Sequence, residues 1–285
     1  IDQLHRTLYF GLEPERDRYR SDLIASLQCH DSEPFEFADW CRLVPYEYSL
    51  DPLSAAGSLR RYGGRFNAGS ELEGMRGCHP ALYLGDTFST TYSEYFQLPP
   101  NSREGGLSPE DLALSNSHGS ETKVRVHGRL ERILDIRKPE LLQQFCRVLA
   151  KIKQPPSVKD LSRKLKLHNK RILIRTVPHL LYALSANWRM WAVQFGLPSP
   201  SQVFAQLVID AGYEGIVYPS TKNPMGTCIA LFPTEIGSSK TFVELSDPAP
   251  SGVLVKRLDL ESASQCCGWH VLGPSERRFK RRIPI

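Results

Sequence analysis

One short stretch of the sequence concentrates groups that can bind an anion: "RRYGGRFNAGS", residues 60–70. In this stretch Arg65 directly follows Gly63 and Gly64. Glycine permits backbone conformations that are closed to other residues, and it lets another group approach closely. A guanidinium presents a rigid fork of donors that suits phosphate or carboxylate. The stretch therefore predicts an anion site, such as one for a nucleotide phosphate. An ordinary surface hairpin is the alternative, because short motifs are often matched by chance.

Two further places put polar groups where predicted elements end. The strand predicted at 81–86 contains Tyr83. The following segment, 87–97, begins with residues typical of a helix N-cap and carries Glu94 in an aromatic helix. Ser220 closes a third predicted strand in a Pro-Ser turn. On pattern alone a solvent-facing glutamate is the simpler interpretation of Glu94.

The elements that must position these groups are strands separated by helices. Residues 1–30 and 138–210 have helical periodicity, whereas residues 98–121 are rich in Pro, Gly and Ser and predict a long loop. Residues 122–136 alternate apolar and polar residues, as in a half-buried strand or a hairpin. Further strands are predicted at 34–45, 214–220, 226–232, 241–246 and 252–260. Strands contributed by distant segments favour an α+β fold with a helical insertion, and neither a P-loop nor a GxGxxG motif occurs.

The composition predicts a globular protein away from membranes. The chain has 285 residues, of which 41% are hydrophobic and 24% charged, with a net charge of +5. No apolar run approaches the roughly 20 residues that span a bilayer. The first residues show no signal-peptide pattern, and the cysteine usage described next is typical of a cytosolic protein. Seven cysteines without a CxxC pair predict reduced thiols, and the scattered histidines predict no metal site.

Two basic clusters stand out against this modest charge. They lie at residues 151–175 and 276–282. Such runs are typical of solvated faces or of patches for a partner, and direct nucleic-acid contact is the less favoured interpretation.

Together, three ordered segments resemble the RES domain, a family named for an arginine, a glutamate and a serine. "YGGRFNAGS" is similar to the family's Gly-Arg-aromatic-Asn segment, and "ALYLGDTFSTTYSEYF" is similar to its tyrosine strand and glutamate helix. "SQVFAQLVIDAGYEGIVYPS" resembles its last helix and Pro-Ser strand end. The resemblance runs from about Arg42 to about Phe232. This sequence departs from the family at Thr227, where members often carry Asn after the glycine.

The resemblance assigns the three naming residues to Arg65, Glu94 and Ser220, which are therefore the expected catalytic residues. The leaving of nicotinamide from NAD produces a ribose with oxocarbenium character. A carboxylate at Glu94 would stabilise that charge or bind a ribose hydroxyl. Arg65 would orient the pyrophosphate, and Ser220 would bind either the ribose or the carboxylate.

The same resemblance suggests five substrate-binding residues. Tyr83 matches the family tyrosine and would stack on nicotinamide, Asn67 matches the asparagine of the turn, and Arg42 would assist with the pyrophosphate. Gly64 lies in the turn itself. Lys222, after the Pro-Ser turn, would contact substrate phosphates or solvent.

The resemblance further implies an ADP-ribosyltransferase-like core with a mixed or antiparallel sheet, at residues 34–260. A helical segment precedes it at 1–33, a helical insertion lies at 138–200, and a basic tail follows at 261–285. The implied activity is that of a toxin which consumes NAD by phosphorolysis or hydrolysis. NAD is then the substrate and inorganic phosphate a candidate co-substrate, with no permanently bound cofactor.

The implied partner is an antitoxin or an immunity protein. The toxin would act in the producing cell, or in a target cell if it is a secreted effector. Two alternatives stay open: a protein ADP-ribosyltransferase, and a catalytically silent module that binds nucleic acid or protein.

Overall fold

The computed structural model describes residues 2–30, 32–72, 77–98, 121–166 and 173–267. Most of the predicted loop at 98–121 and the basic stretch 276–282 lie outside these ranges. The chain forms two compact units, each assembled from three separate segments. The helical unit comprises residues 1–31, 59–79 and 138–212, and the sheet unit comprises 32–58, 80–137 and 213–285.

The sheet unit is built on a mixed eight-stranded sheet, in the order β10-β9-β5-β1-β4-β8-β7-β6. All neighbouring strands are antiparallel except β6 and β7, which are parallel. Its strands are β1 (Phe35–Pro45), β4 (Leu82–Gly85), β5 (Glu121–Leu130), β6 (Ile133–Asp135), β7 (Gly215–Pro219), β8 (Thr227–Leu231), β9 (Phe242–Leu245) and β10 (Arg257–Asp259). The predicted α+β class with a mixed sheet and a helical insertion is confirmed.

The two faces of this sheet are covered differently. Leu82 and Leu84 of β4 belong to a buried apolar cluster that draws on most of the strands. By strand alternation, Tyr83 and Gly85 point to the opposite face, where helix α4 (Phe88–Phe96) packs. A Cβ at Gly85 would lie 2.5 Å from Thr91 Oγ1, so glycine permits this close approach. One short helix, α10 (Ala263–Cys266), completes the described part of the sheet unit.

The helical unit combines helices with one small hairpin, β2 (Gly63–Gly64) and β3 (Asn67–Ala68). An aromatic cluster of Tyr9, Trp191 and Phe195 packs the helix Asp2–Gly11 against the helix Trp188–Phe195. Its helices are α1 (Asp2–Gly11), α2 (Glu13–Arg18), α3 (Arg20–Gln28), α5 (Gln143–Leu149), α6 (Pro156–Lys164), α7 (Val177–Ser185), α8 (Trp188–Phe195) and α9 (Pro200–Asp210).

Two predicted helices are interrupted. Residues 1–30 form three helices: Pro14 at the start of α2 has no N–H to donate to the preceding turn, and a second break lies at Tyr19, whose backbone has φ −100° and ψ 5°. The apolar run at 177–196 breaks at Ala186, whose backbone is extended with φ −60° and ψ 163°. This break leaves the last carbonyl groups of α7 available to other donors.

Two strand predictions need correction. The hairpin alternative for 122–136 is wrong, because β5 pairs with β1 and β9 whereas β6 pairs with β7. The strand predicted at 252–260 is confined to Arg257–Asp259. The domain boundaries predicted at 34 and 260 follow the linear order of the chain and stay a prediction, whereas the compact units are discontinuous. Among the described helices none has the length and apolarity to cross a bilayer.

Candidate active site

The carboxylate of Glu94 meets the hydroxyl of Ser220 in the sheet unit. Ser220 Oγ donates to Glu94 Oε1 over 2.8 Å. Thr221 adds its backbone N–H at 2.7 Å and its hydroxyl at 3.3 Å, both to the same oxygen. All these bonds reach Oε1, so among the described residues no hydrogen bond is directed to Oε2. Glu94 is half-buried, and Oε2 is the oxygen left for a ligand.

The Ser220 hydroxyl is fully used by these contacts. Its single proton goes to Glu94, and its oxygen accepts the backbone N–H groups of Lys222 at 3.1 Å and Asn223 at 2.9 Å. A hydroxyl has one proton and two lone pairs, and Ser220 is only 7% exposed. Of the two roles predicted for Ser220, the structure therefore provides the bond to the carboxylate.

The turn that carries Ser220, residues Ser220–Gly226, is attached to the N-terminal half of α4. Asn223 Nδ2 donates to Thr90 Oγ1 over 2.8 Å. A Cβ at Gly226 would lie 2.4 Å from the same oxygen. Thr87 caps α4 by accepting the Thr90 N–H, as its residue type predicted. The serine turn and the glutamate helix are thus fixed to each other at two places.

Tyr83 and Arg42 both belong to the sheet unit, and the guanidinium of Arg42 donates to main-chain carbonyl groups. Tyr83 is half-buried on the face covered by α4. Arg42 donates from Nη2 to Ser54 O at 2.6 Å and from Nη1 to Tyr83 O at 3.4 Å. Burial lowers the pKa of Arg42 to about 10, so the guanidinium is still charged at neutral pH. Arg42 therefore holds the tyrosine strand, and its contact with a pyrophosphate stays a prediction.

In the helical unit, Arg65 occupies the two-residue loop of the hairpin Gly63–Ala68, hereafter the Arg65 hairpin. The hairpin alternative is correct in shape, but it is not a surface hairpin: Arg65 is 5% exposed and Phe66 is 1% exposed. Nη1 of Arg65 donates to Leu184 O at 3.1 Å and to Ala186 O at 3.2 Å. These carbonyl groups lie where α7 ends and carry partial negative charge. Arg65 caps that helix with two of its five donors.

Polar contacts also fix the backbone of the Arg65 hairpin. Asn67 Oδ1 accepts the Gly64 N–H across the loop at 3.0 Å. Gly63 has a φ of +80°, and a Cβ there would lie 2.2 Å from Asn67 O. The conformational need for glycine is therefore clearest at Gly63. Gly64 and Asn67 build the turn that presents Arg65, and their predicted contact with a substrate stays a prediction.

Thr227, at which the sequence departs from the RES pattern that it resembles, makes two hydrogen bonds. Thr227 N donates to Asp86 Oδ2 at 2.7 Å, and its hydroxyl accepts from Arg137 Nη1 at 3.2 Å. Arg137 is in turn bound to Asp135 through two nitrogens. The edge next to the serine turn is thus held by a charged network in place of an asparagine.

Two residues that the sequence left out of the site contact it directly. Thr221 supplies two donors to Glu94 Oε1, and Gln202 donates to the backbone of the Arg65 hairpin. Ser199 and Gln202 form a capping box at the start of α9, and a capping box contains no signal for a second contact of the glutamine. Lys222 contributes its backbone N–H to Ser220, and the predicted phosphate contact of its side chain stays a prediction.

Three features together define the class of protein: a mixed α+β fold, a carboxylate held by a serine, and an arginine held on a glycine turn. The chain belongs to the RES domain family, whose model matches residues 39–248. That range includes Arg42, Arg65, Glu94 and Ser220. Membership supports the ADP-ribosyltransferase-like core that the resemblance implied.

The similarity of this chain to individual proteins is weak. No curated protein matches this chain. Among solved structures, a chain from the crystal structure of the M. tuberculosis MbcT–MbcA toxin–antitoxin complex is similar, with 13% sequence identity and a TM-score of 0.43. The alignment covers 86% of this chain and 97% of that one.

Proposed function

We propose that this protein cleaves the nicotinamide–ribose bond of NAD, by phosphorolysis or hydrolysis, and acts as a toxin by depleting NAD. The observation that carries the proposal is the Glu94 carboxylate, which Ser220 and Thr221 hold through Oε1 alone. Family membership makes NAD the preferred substrate among those that a positioned carboxylate could serve.

In the proposed reaction the bond between ribose C1′ and the nicotinamide nitrogen breaks. Its electron pair goes to the pyridinium ring, so nicotinamide leaves as a neutral molecule. Positive charge develops on the ribose, and Glu94 Oε2 stabilises it or accepts a hydrogen bond from a ribose hydroxyl. An oxygen of phosphate or water then bonds to C1′, and an attacking water molecule loses one proton to the solvent.

Ser220 and Thr221 act on this step through Glu94. Three donors on Oε1 fix the rotation of the carboxylate before the substrate binds, so that no reorganisation is needed as charge develops. Ser220 does not serve as a nucleophile in this scheme, because both lone pairs of its oxygen accept backbone N–H groups. Arg65 orients the pyrophosphate, and Tyr83 stacks on nicotinamide.

The toxin role and its partner follow from the family. We propose that an antitoxin or an immunity protein restrains the activity, and that the toxin acts in the cytoplasm of the producing cell or of a target cell. Induced expression is then expected to arrest growth, and the arrest should be relieved by Glu94→Gln. Growth that continues at full rate despite measured NAD loss would contradict the toxin role alone.

The decisive experiment is to incubate the purified protein with NAD, with and without inorganic phosphate, and to identify the products by mass. A hydrolase releases nicotinamide with or without phosphate, whereas a phosphorylase releases it only when phosphate is present. ADP-ribose phosphate identifies phosphorolysis, and free ADP-ribose identifies hydrolysis. Glu94→Gln keeps an acceptor for Ser220 but removes the charge, so we expect a loss of about 10²–10³-fold in rate.

The control is Glu261→Gln, which changes an exposed glutamate of the same unit. It should retain full activity. Labelled ADP-ribose on a protein target would identify the transferase alternative. Intact NAD combined with steeply salt-dependent binding of nucleic acid would favour the binding module, for which the exposed lysines of 151–166 are the candidate surface.

A further inference from the structure

We infer that Gln202 is a positioning residue for Arg65, which it places by holding the backbone of the Arg65 hairpin. The inference rests on the proposed function, in which Arg65 orients the substrate. Gln202 is not one of the family's naming residues, and it lies at the third position of helix α9.

The side-chain amide of Gln202 reaches both sides of the loop that carries Arg65. Its Nε2 lies 2.9 Å from Gly64 O and 3.1 Å from Asn67 O, the residues immediately before and after the loop. A third acceptor, Tyr62 O, lies at 2.8 Å. Gln202 is 1% exposed. These carbonyl groups therefore receive a buried donor where water has little access.

The other end of the same amide fixes its direction. Oε1 accepts the Ser199 N–H at 2.9 Å, and Ser199 Oγ accepts the Gln202 N–H at 3.3 Å. This is a capping box, in which the N-cap residue and the third residue of the helix satisfy each other's donors. Exchange of Oε1 and Nε2 would break both sets of bonds. The helix start thus directs the donor toward the hairpin.

Arg65 is consequently fixed from two helices of the helical unit. Its guanidinium is bound by the last carbonyl groups of α7, and its backbone is held by the first turn of α9. An arginine with little remaining freedom loses little conformational entropy when it binds an anion. Loss of the Gln202 donor is expected to displace the loop and, with it, the guanidinium.

The test compares two variants that separate capping from holding the hairpin. Gln202→Glu keeps an acceptor for Ser199 N, and a carboxylate is favoured at this helix position. It removes the donor and puts a negative charge beside three carbonyl oxygens. Ser199→Ala removes the hydroxyl half of the capping box and leaves Gln202 Nε2 on the hairpin.

We expect Gln202→Glu to lower kcat/KM for NAD by about 100-fold, chiefly through a higher KM, because a displacement of about 1 Å can cost that much. Ser199→Ala should stay within about twofold of wild type. If both variants lose activity equally, or if Gln202→Glu keeps the wild-type KM, the inference is overturned.

A second measurement does not depend on activity. Hydrogen exchange of the Gly63, Gly64 and Ser70 amides should accelerate in Gln202→Glu and stay unchanged in Ser199→Ala. If wild type leaves NAD intact, the proposed function fails, and exchange alone decides whether Gln202 holds the hairpin. If Gln202→Glu does not fold, Gln202→Met keeps the volume without the donor, and a wild-type KM or exchange rate in that variant overturns the inference.

Discussion

The Arg65 hairpin and the Ser220 turn are both tight turns that present a polar side chain, but they fix it by different means. In the hairpin, Arg65 and Gln202 donate to carbonyl groups of the main chain. In the Ser220 turn, main-chain and hydroxyl donors converge on one oxygen of Glu94. The hairpin residues therefore contribute to the stability of the helical unit. The contacts of Glu94 chiefly fix the orientation of its carboxylate.

This comparison leads to different expectations for substitutions at the two turns. Removing a donor from buried carbonyl groups leaves them without a partner and costs about 1–3 kcal/mol each. Neutralising Glu94 leaves an amide oxygen that still accepts from Ser220 and Thr221. Substitution in the hairpin should thus change stability and activity together, whereas substitution at Glu94 should change activity alone.

The largest stability effect is expected for Arg65→Ala. It should lower the free energy of unfolding by about 3 kcal/mol, because Leu184 O and Ala186 O lose a charged donor. Glu94→Gln should cost less than about 1 kcal/mol, since its bonds are retained. Urea unfolding followed by circular dichroism measures both, with exposed Arg60→Ala as the control. Equal losses for Arg65→Ala and Glu94→Gln would remove the distinction between the two turns.

Ser220→Ala should have an intermediate effect on both quantities. The backbone N–H groups of Lys222 and Asn223 lose their acceptor, which we expect to cost about 1–2 kcal/mol. Activity should fall by about tenfold, because Thr221 still holds Glu94 Oε1. Steady-state NAD consumption measures the change. A loss as great as that of Glu94→Gln would mean that the hydroxyl takes a direct part in the chemistry.

An effect that needs no substitution is a difference between the two units in how readily each opens locally and exposes its buried cysteine. Burial raises the pKa of Cys146 in the helical unit to about 11 and that of Cys266 in the sheet unit to about 12, so each thiol reacts only after its unit opens. The helical unit contains a half-open, largely apolar pocket of about 470 Å³, which is lined in part by Phe145, the neighbour of Cys146 in the chain. We expect this pocket to let Cys146 become exposed first, by roughly tenfold in rate, or about 1.4 kcal/mol.

Alkylation at neutral pH with peptide mapping by mass spectrometry separates the two thiols. Cys29, which is exposed, gives the rate for a thiol that needs no opening event. Faster labelling of Cys266 than of Cys146 would place the weaker packing in the sheet unit.

Much of the scaffold was predictable because its signals are local. The cap at Thr87, the strand at 82–85 and the left-handed Gly212 at the end of α9 each depend on a few neighbouring residues. The breaks in the two long helical patterns also have local causes, at Pro14 and Ala186. The three-residue strand β6 was missed as a separate element, because such a short segment has no periodicity of its own.

The site was predictable only through family resemblance. Glu94 and Ser220 are separated by 126 residues, and no period or spacing relates them. The second role of Gln202 had no signal at all, since a capping box has the same pattern whether or not its amide reaches a neighbouring turn. Which carboxylate oxygen is occupied, and by how many donors, depends on tertiary placement alone.

The discontinuity of both units also affects how the chain is made. The segment that carries Glu94 emerges from the ribosome long before Ser220 and Thr221 are synthesised. Strands β7 and β8 are synthesised after all of the described helices except α10. During translation the helix that carries Glu94 is therefore present before the two residues that bind its carboxylate, Ser220 and Thr221. The proposed activity would therefore begin only after the segment with Ser220 and Thr221 has been synthesised and has joined the glutamate helix.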